Sequence, residues 1–230
     1  LGNGITSITD HMFSCCTSLT SIEIPNSVTN IETHAFYGCT ALTSIVIPEG
    51  VTSIGNQAFN GCTSLESITI PFVGGSRKSA TDTYQYPFGY IFGTSSYTGG
   101  VATTQYYYGS STTSTTSSTY YIPASLKSVT VTGGEILYGA FYNCSNLTSV
   151  TIPESVTSIG ERAFEDCTSL EEITLPVGGS ERGKTGTYDS VFGYIFGYTQ
   201  SSSSSYSGAV NQYYNSSNSY YYRYYHYCQG

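Results

Sequence analysis

The residues able to do chemistry in this chain recur in fixed places. Five of its seven cysteines, Cys16, Cys39, Cys62, Cys144 and Cys167, each follow a phenylalanine by three positions: Phe13, Phe36, Phe59, Phe141 and Phe164. Such a series could form a disulfide ladder or a metal site. Cysteines stacked in register keep their Cβ atoms near the spacing of the repeat, wider than the roughly 3.5–4.5 Å a disulfide needs. Metal sites favour Cys-x-x-Cys or Cys-x-x-His pairs, and the sequence has none. The spacing therefore favours a column of buried thiols acting as small apolar side chains. Cys15 and Cys228 stand outside the series and are candidates for exposure.

The other reactive residues are sparser. His11 and His34 share one slot, but later repeats put Gln57 and Arg162 there, so the slot faces solvent. Glu165-Asp166 and Glu171-Glu172 read as a solvated face. Gly74-Gly75-Ser76-Arg77-Lys78 lacks the spacing of a phosphate loop, and no Gly-x-Ser-x-Gly elbow occurs. Neither catalysis, nor a cofactor, nor a metal is expected. Seven basic residues against 15 acidic ones give a net charge of −8. A nucleic-acid partner is thereby disfavoured, because displacing counterions from phosphates takes clustered Lys and Arg. No apolar run reaches the length of a membrane span, and no leader pattern follows Leu1, so any secretory signal lies outside these residues.

These slots are positioned by a 23-residue phrase. Val28-x-x-Ile31, Ala35-Phe36, Cys39, Leu42-x-x-Ile45-x-Ile47-Pro48 recurs as Val51-x-x-Ile54, Ala58-Phe59, Cys62, Leu65-x-x-Ile68-x-Ile70-Pro71. A first copy occupies 5–25, with Met12 in the Ala slot. A half copy, Leu126-x-x-Val129-x-Val131, and two whole ones run through 126–176. Self-similarity at this period predicts a solenoid, since one copy cannot bury its own apolar face. The Leu-x-x-Ile-x-Ile stretches are expected as parallel strands about 4.8 Å apart. Proline ends each strand, and Ala-Phe makes a short 3-10 or irregular turn that drives Phe into the centre.

The phrase resembles the leucine-rich repeat, specifically the 23-residue BspA-like or Treponema type. The resemblance rests on Leu-x-x-Ile-x-Ile-Pro, Val-x-x-Ile, Ala-Phe and Cys, and covers about half of the chain. It implies a curved parallel β solenoid and a secreted or cell-surface binding role.

Four segments follow: coils one to three at 1–71, an insert at 72–125, the half coil and two coils at 126–176, and a second, truncated copy of the insert at 177–230. Phe88-Gly-Tyr-Ile-Phe-Gly93 and Gln105-Tyr-Tyr return as Phe192-Gly-Tyr-Ile-Phe-Gly197 and Gln212-Tyr-Tyr, in a larger unit of 105 residues. With no polar cap in sight, the chain is expected to be a piece of a longer array. The inserts hold 21 of the 24 tyrosines and are expected as short strands or hairpins with Ser/Thr tips at 110–119 and 201–205.

Tyrosine joins a large apolar body to a polar tip at low ordering cost. Tyr90, Tyr106, Tyr107, Tyr108, Tyr194, Tyr213 and Tyr214 are therefore the candidate binding surface. The Ser/Thr carpet on the outer strand face is more simply what exposed strands favour. Phe88 is expected to matter far less to the solenoid than Phe59, with the inserts free of its core. The partner expected is a host or bacterial surface protein or glycan, or other copies of the chain. A surface adhesin leads, ahead of a self-assembling structural subunit and a glycan-binding module of a larger protein.

Overall fold

The computed structural model describes residues 1–77, 85–108, 115–183, 192–199, 210–216 and 219–225, the last two segments as backbone. Cys228 and the Ser/Thr residues at 110–114 and 201–205 lie outside the described residues. The chain is a parallel β solenoid, and its second and third coils each place two short strands on different sides, while the stretch 19–24 of the first coil, expected as a strand, forms none.

On one side run β1 (Ser7–Ile8), β2 (Asn30–Ile31) and β4 (Ser53–Ile54), paired in parallel in that order. On the other run β3 (Ser44–Val46), β5 (Ser67–Ile70), β8 (Ser128–Val131), β9 (Ser149–Thr151) and β10 (Glu172–Thr174), a continuous five-stranded parallel sheet. Inward positions are apolar and closed to solvent: Ile45, Ile68, Val129 and Val150 align across this sheet, each 3% exposed or less.

Between the strands lies the Ala-Phe turn. Where another coil follows directly, the amide of Phe donates to its Ala carbonyl, as in Phe13 to Ala35, Phe36 to Ala58 and Phe141 to Ala163; where an insert follows, Phe59 and Phe164 donate to the carbonyls of Ile91 and Ile195. Two residues per turn adopt positive φ. One is the residue before Ala or Met (His11, His34, Gln57, Gly139, Arg162), and the other lies two after Phe (Cys15, Gly38, Gly61, Asn143, Asp166). Left-handed backbone disfavours most side chains but suits Gly, Asn, Asp and His better, which accounts for much of the variety in these slots. It also explains Cys15, which occupies such a turn position and is exposed.

Phe36, Phe59, Phe141 and Phe164 are fully buried, and Phe13 is half-buried at the outer face of the first coil. Their rings stack at 5.3–5.4 Å with planes within 8°. Cys39, Cys62, Cys144 and Cys167 are closed to solvent and Cys16 is half-buried, and the described cysteines carry thiols rather than disulfides. Cys39, Cys62 and Cys167 donate S–H to the carbonyls of Phe13, Phe36 and Phe141 in the preceding coil, at 3.1–3.3 Å. Burial pushes the Cys39 thiol up to about 11, so the column is inert at neutral pH.

The first insert corrects the expectation that it stands apart from the core. Phe88, Ile91 and Phe92 are fully buried within the same cluster as the coils. A 3-10 turn at Phe88–Ile91 accepts from the Phe59 amide at the Ile91 carbonyl, and its Phe88 amide donates to Ala140. Phe92 leans back on Phe59 at 6.4 Å and Phe88 forward on Phe141 at 5.0 Å, so the ring column passes through unbroken. Gly89 is required here, because a Cβ would lie 2.5 Å from the Tyr120 side chain.

From this expanded coil projects a hairpin of β6 (Gly100–Tyr108) and β7 (Thr115–Pro123), paired over nine residues each. Residues 115–119, expected as part of a flexible tip, belong to β7. In the second insert β11 (Tyr198–Thr199) and β12 (Val210–Ser216) both pair antiparallel with β13 (Ser219–Tyr225). Among the described residues no helix is long and apolar enough to cross a membrane.

Candidate functional site

Where an insert begins, the chain reverses against the small sheet. Ser76 pairs antiparallel with Ser53 of β4, and Glu181 pairs the same way with Ser158. The matching hydrogen bonds run from Ile54 to the Gly75 carbonyl and from Ile159 to Ser180, both at 2.8 Å. Each reversal is tied by an equivalent ion pair, Arg77 with Glu49 at 3.1 Å and Arg182 with Glu154. Hydrogen bonding to Thr132, and then the Arg77 guanidinium, hold the Glu49 carboxyl below its ordinary range.

The reversal leaves an open groove in each unit. The first has a volume of about 580 Å³ and is lined by Asn30, Glu32, Ser53, Ser76 and Tyr90, with Asp10 at its rim. The second, about 390 Å³, presents Ser158, Glu161, Ser180, Glu181 and Tyr194. Ser53 and Ser158 lie 105 residues apart, and Tyr90 and Tyr194 lie 104 apart, so one groove is built twice. The amides of Gln57 and Arg162 donate to the carbonyls of Tyr90 and Tyr194 at the same point.

The predicted tyrosines divide between grooves and hairpins. Tyr90 is 8% exposed, and its ring covers Gly75 at the groove wall. Tyr194 is half-buried. Tyr106 is 37% exposed, and its ring meets Tyr142 edge-on at 4.9 Å. Tyr107 packs against Tyr86 and hydrogen-bonds Ser118, and Tyr108 lies 4.6 Å from the Tyr138 ring. These two thus serve the hairpin's own packing as well as its surface. Tyr213 and Tyr214 sit in β12, opposite Tyr222 and Tyr221 of β13.

Sequence reasoning missed the residues that seat the first insert. Gln105 is fully buried: its Oε1 accepts from Gly89 N at 2.6 Å, and its Nε2 donates to the carbonyls of Ala140 and Tyr142. Its Nε2 also lies 3.5 Å from Cys144 Sγ, so this thiol has a side-chain partner where Cys39, Cys62 and Cys167 have a carbonyl. The available signal was the repetition of Gln-Tyr-Tyr in both inserts. Asn60 is buried and donates to the carbonyls of Phe92 and Ser95. Tyr37, 37% exposed, shares the slot of Tyr142 and was overlooked.

The BspA-type leucine-rich repeat region matches six copies in this chain, over residues 1–86 and 134–189, more than half of its length. The chain belongs to the BspA-type leucine-rich repeat family. The first of these stretches runs past Pro71 into the insert, as far as Tyr86. Among solved structures, a leucine rich cell surface protein from Faecalibacterium prausnitzii A2-165 is 34% identical, with 76% of this chain and 40% of that one covered and a TM-score of 0.32. A leucine-rich repeat protein from Bacteroides ovatus is 28% identical, with 75% and 29% covered and a TM-score of 0.32. The chain thus spans less than half the length of either protein. No curated protein matches it.

Proposed function

We propose that this BspA-type repeat protein is a non-enzymatic adhesion or protein-binding module acting outside the cell or at its surface. The observation that carries this reading is the duplicated groove, with tyrosine, hydroxyl and carboxylate groups presented twice on one rigid stack. Weak contacts repeated on one scaffold gain avidity without new chemistry, and loops on a rigid scaffold are where binding residues concentrate. Tyr108 of β6 lines the second groove, the exposed Tyr106 stands two residues before it on the same strand, and Tyr213 and Tyr214 are proposed to add to the surface in the second unit. The described acids do not converge on a nucleophile. Glu165, with its carboxyl raised by burial to about 7, lies beside Arg162 at 3.0 Å in a structural contact.

The test is adhesion of the labelled chain to host and bacterial cells. Ser53→Arg with Ser158→Arg fills both grooves and should lower retention at least tenfold (about 1.4 kcal/mol per decade) with an unchanged melting transition. Undiminished retention would refute the groove as the binding site. The mixture of tyrosine, amide and carboxylate also suits a glycan, and a glycan array decides between the two ligand classes.

A further inference from the structure

We infer that Asp10, His11 and His34 form a site for a divalent first-row transition ion of the zinc type. His11 and His34 occupy the same turn slot of coils one and two, at φ +57° and +56°. The shared left-handed backbone projects both rings from one flank, with centroids 4.7 Å apart. Asp10 Oδ1 lies 2.9 Å from His11 Nδ1 and 3.9 Å from His34 Nδ1, and the three ligand atoms all fall within 4.8 Å of one another. Ligands bound tetrahedrally at about 2.0–2.1 Å stand about 3.4 Å apart, a distance between the two observed. Neutral imidazole and carboxylate suit this class of ion, and a three-ligand set leaves a position open.

A second observation points the same way. A chain of hydrogen bonds starting from a backbone carbonyl fixes which His34 nitrogen carries the proton. The Tyr90 carbonyl can only accept, so Asn56 Nδ2 donates to it, at 3.2 Å. Asn56 Oδ1 is thereby turned to accept from Gln57 Nε2 at 3.3 Å. Gln57 Oε1 then faces His34 Nε2 at 3.3 Å and must receive its proton. As a neutral imidazole, His34 then carries its lone pair on Nδ1, 3.9 Å from the Asp10 carboxylate. A lone pair facing a carboxylate is repulsive, and a cation between them relieves it. Outer partners of this kind orient metal-binding histidines and fix their tautomer. Asp10 is itself held, its amide donating to Glu32 Oε2 at 3.0 Å.

Metal binding replaces the contact between His11 Nδ1 and Asp10, the ring proton of a neutral imidazole moving to Nε2. The ion links coil one to coil two at the rim of the first groove, where Asp10 stands. No other pair of coils offers this set among the described residues, since the slot continues as Gln57, Gly139 and Arg162.

The experiment is calorimetric titration of the whole chain with zinc chloride. Asparagine tolerates left-handed backbone, so His11→Asn and His34→Asn test the ligands without straining the turn. Gln57→Asn keeps the turn but shortens the side chain that faces His34. The wild type should bind one zinc saturably, with a raised melting temperature. Each histidine variant should lose at least about 100-fold in affinity, and Gln57→Asn on the order of tenfold. Absence of saturable binding, or equal binding by the doubly substituted histidine variant, as thiol ligation elsewhere would give, overturns the site. An unchanged affinity in Gln57→Asn overturns the relay.

Discussion

The third coil and the expanded coil after it solve one packing problem with different amounts of chain. The third coil needs 23 residues from Val51 to Val73 to deliver one ring, one turn and two strands. The expanded coil takes from Gly74 to Val131 to supply the ring and the large-sheet strand. It offers two rings, Phe92 backward and Phe88 forward, where the third coil offers Phe59 alone. Its strand β8 keeps the register of the large sheet with β5 and β9. The small sheet is not kept: β4 meets an antiparallel segment at Ser76 instead of a further parallel strand. The stack therefore demands a ring column and one sheet, and tolerates reversal on the other side.

The largest effect that could break this equivalence is loss of a ring. Phe59→Ala and Phe88→Ala should each destabilise by about 3–5 kcal/mol, because both leave a cavity among buried aromatics. Chemical denaturation would measure both. A much smaller loss at Phe88 would mean the insert only rests on the stack.

Next is the group that the third coil lacks. Gln105→Leu should cost about 2–3 kcal/mol by leaving Gly89 N and Tyr142 O buried without this partner. A companion variant, Asn60→Leu, should show a loss of similar size. Neutral behaviour of both would place the seating of the insert in its apolar contacts alone.

The smallest effect compares the two junctions. Asn60 precedes the first insert and donates to Phe92 and Ser95 carbonyls. Glu165 holds the equivalent slot before the second, against Gly197, and an ionised carboxylate cannot donate. Burial raises its carboxyl to about 7, opposed by Arg162, so the folded chain holds a proton that the unfolded chain has released. Stability should then fall as pH rises from about 4.5 to 7 and level off above. Glu165→Gln should flatten that slope and gain roughly 1–2 kcal/mol at pH 8. An unchanged pH profile in the variant would assign the slope elsewhere.

Legibility followed periodicity. The ring column, the thiol column and the large sheet were readable because each is dictated by the same position in every coil. The role of Phe88 and Phe92 was not, although both stand in an aromatic text written twice. Their spacing departs from 23, and spacing was the evidence used. Gln105 and Asn60 were harder still, since a buried amide has no composition signal until its partners are known. The grooves arise from a reversal of chain direction, which no local pattern announces. The histidine slot was read as facing solvent, which holds for exposed His11, while His34 is half-buried under the line from Tyr90.

The reversal at Ser76 makes the molecule a kind of socket. The chain leaves the ring column after Phe92 and rejoins the large sheet as β8, and beyond the buried Gln105 a hairpin can be lengthened or shortened in pairs of residues without moving any coil. Reach away from the stack and spacing along it are thereby set by separate stretches of sequence. A designer could graft a foreign hairpin onto the outer pair Tyr108 and Thr115, beyond the buried Gln105 and Tyr120, and present it at a fixed interval, as teeth on a rack.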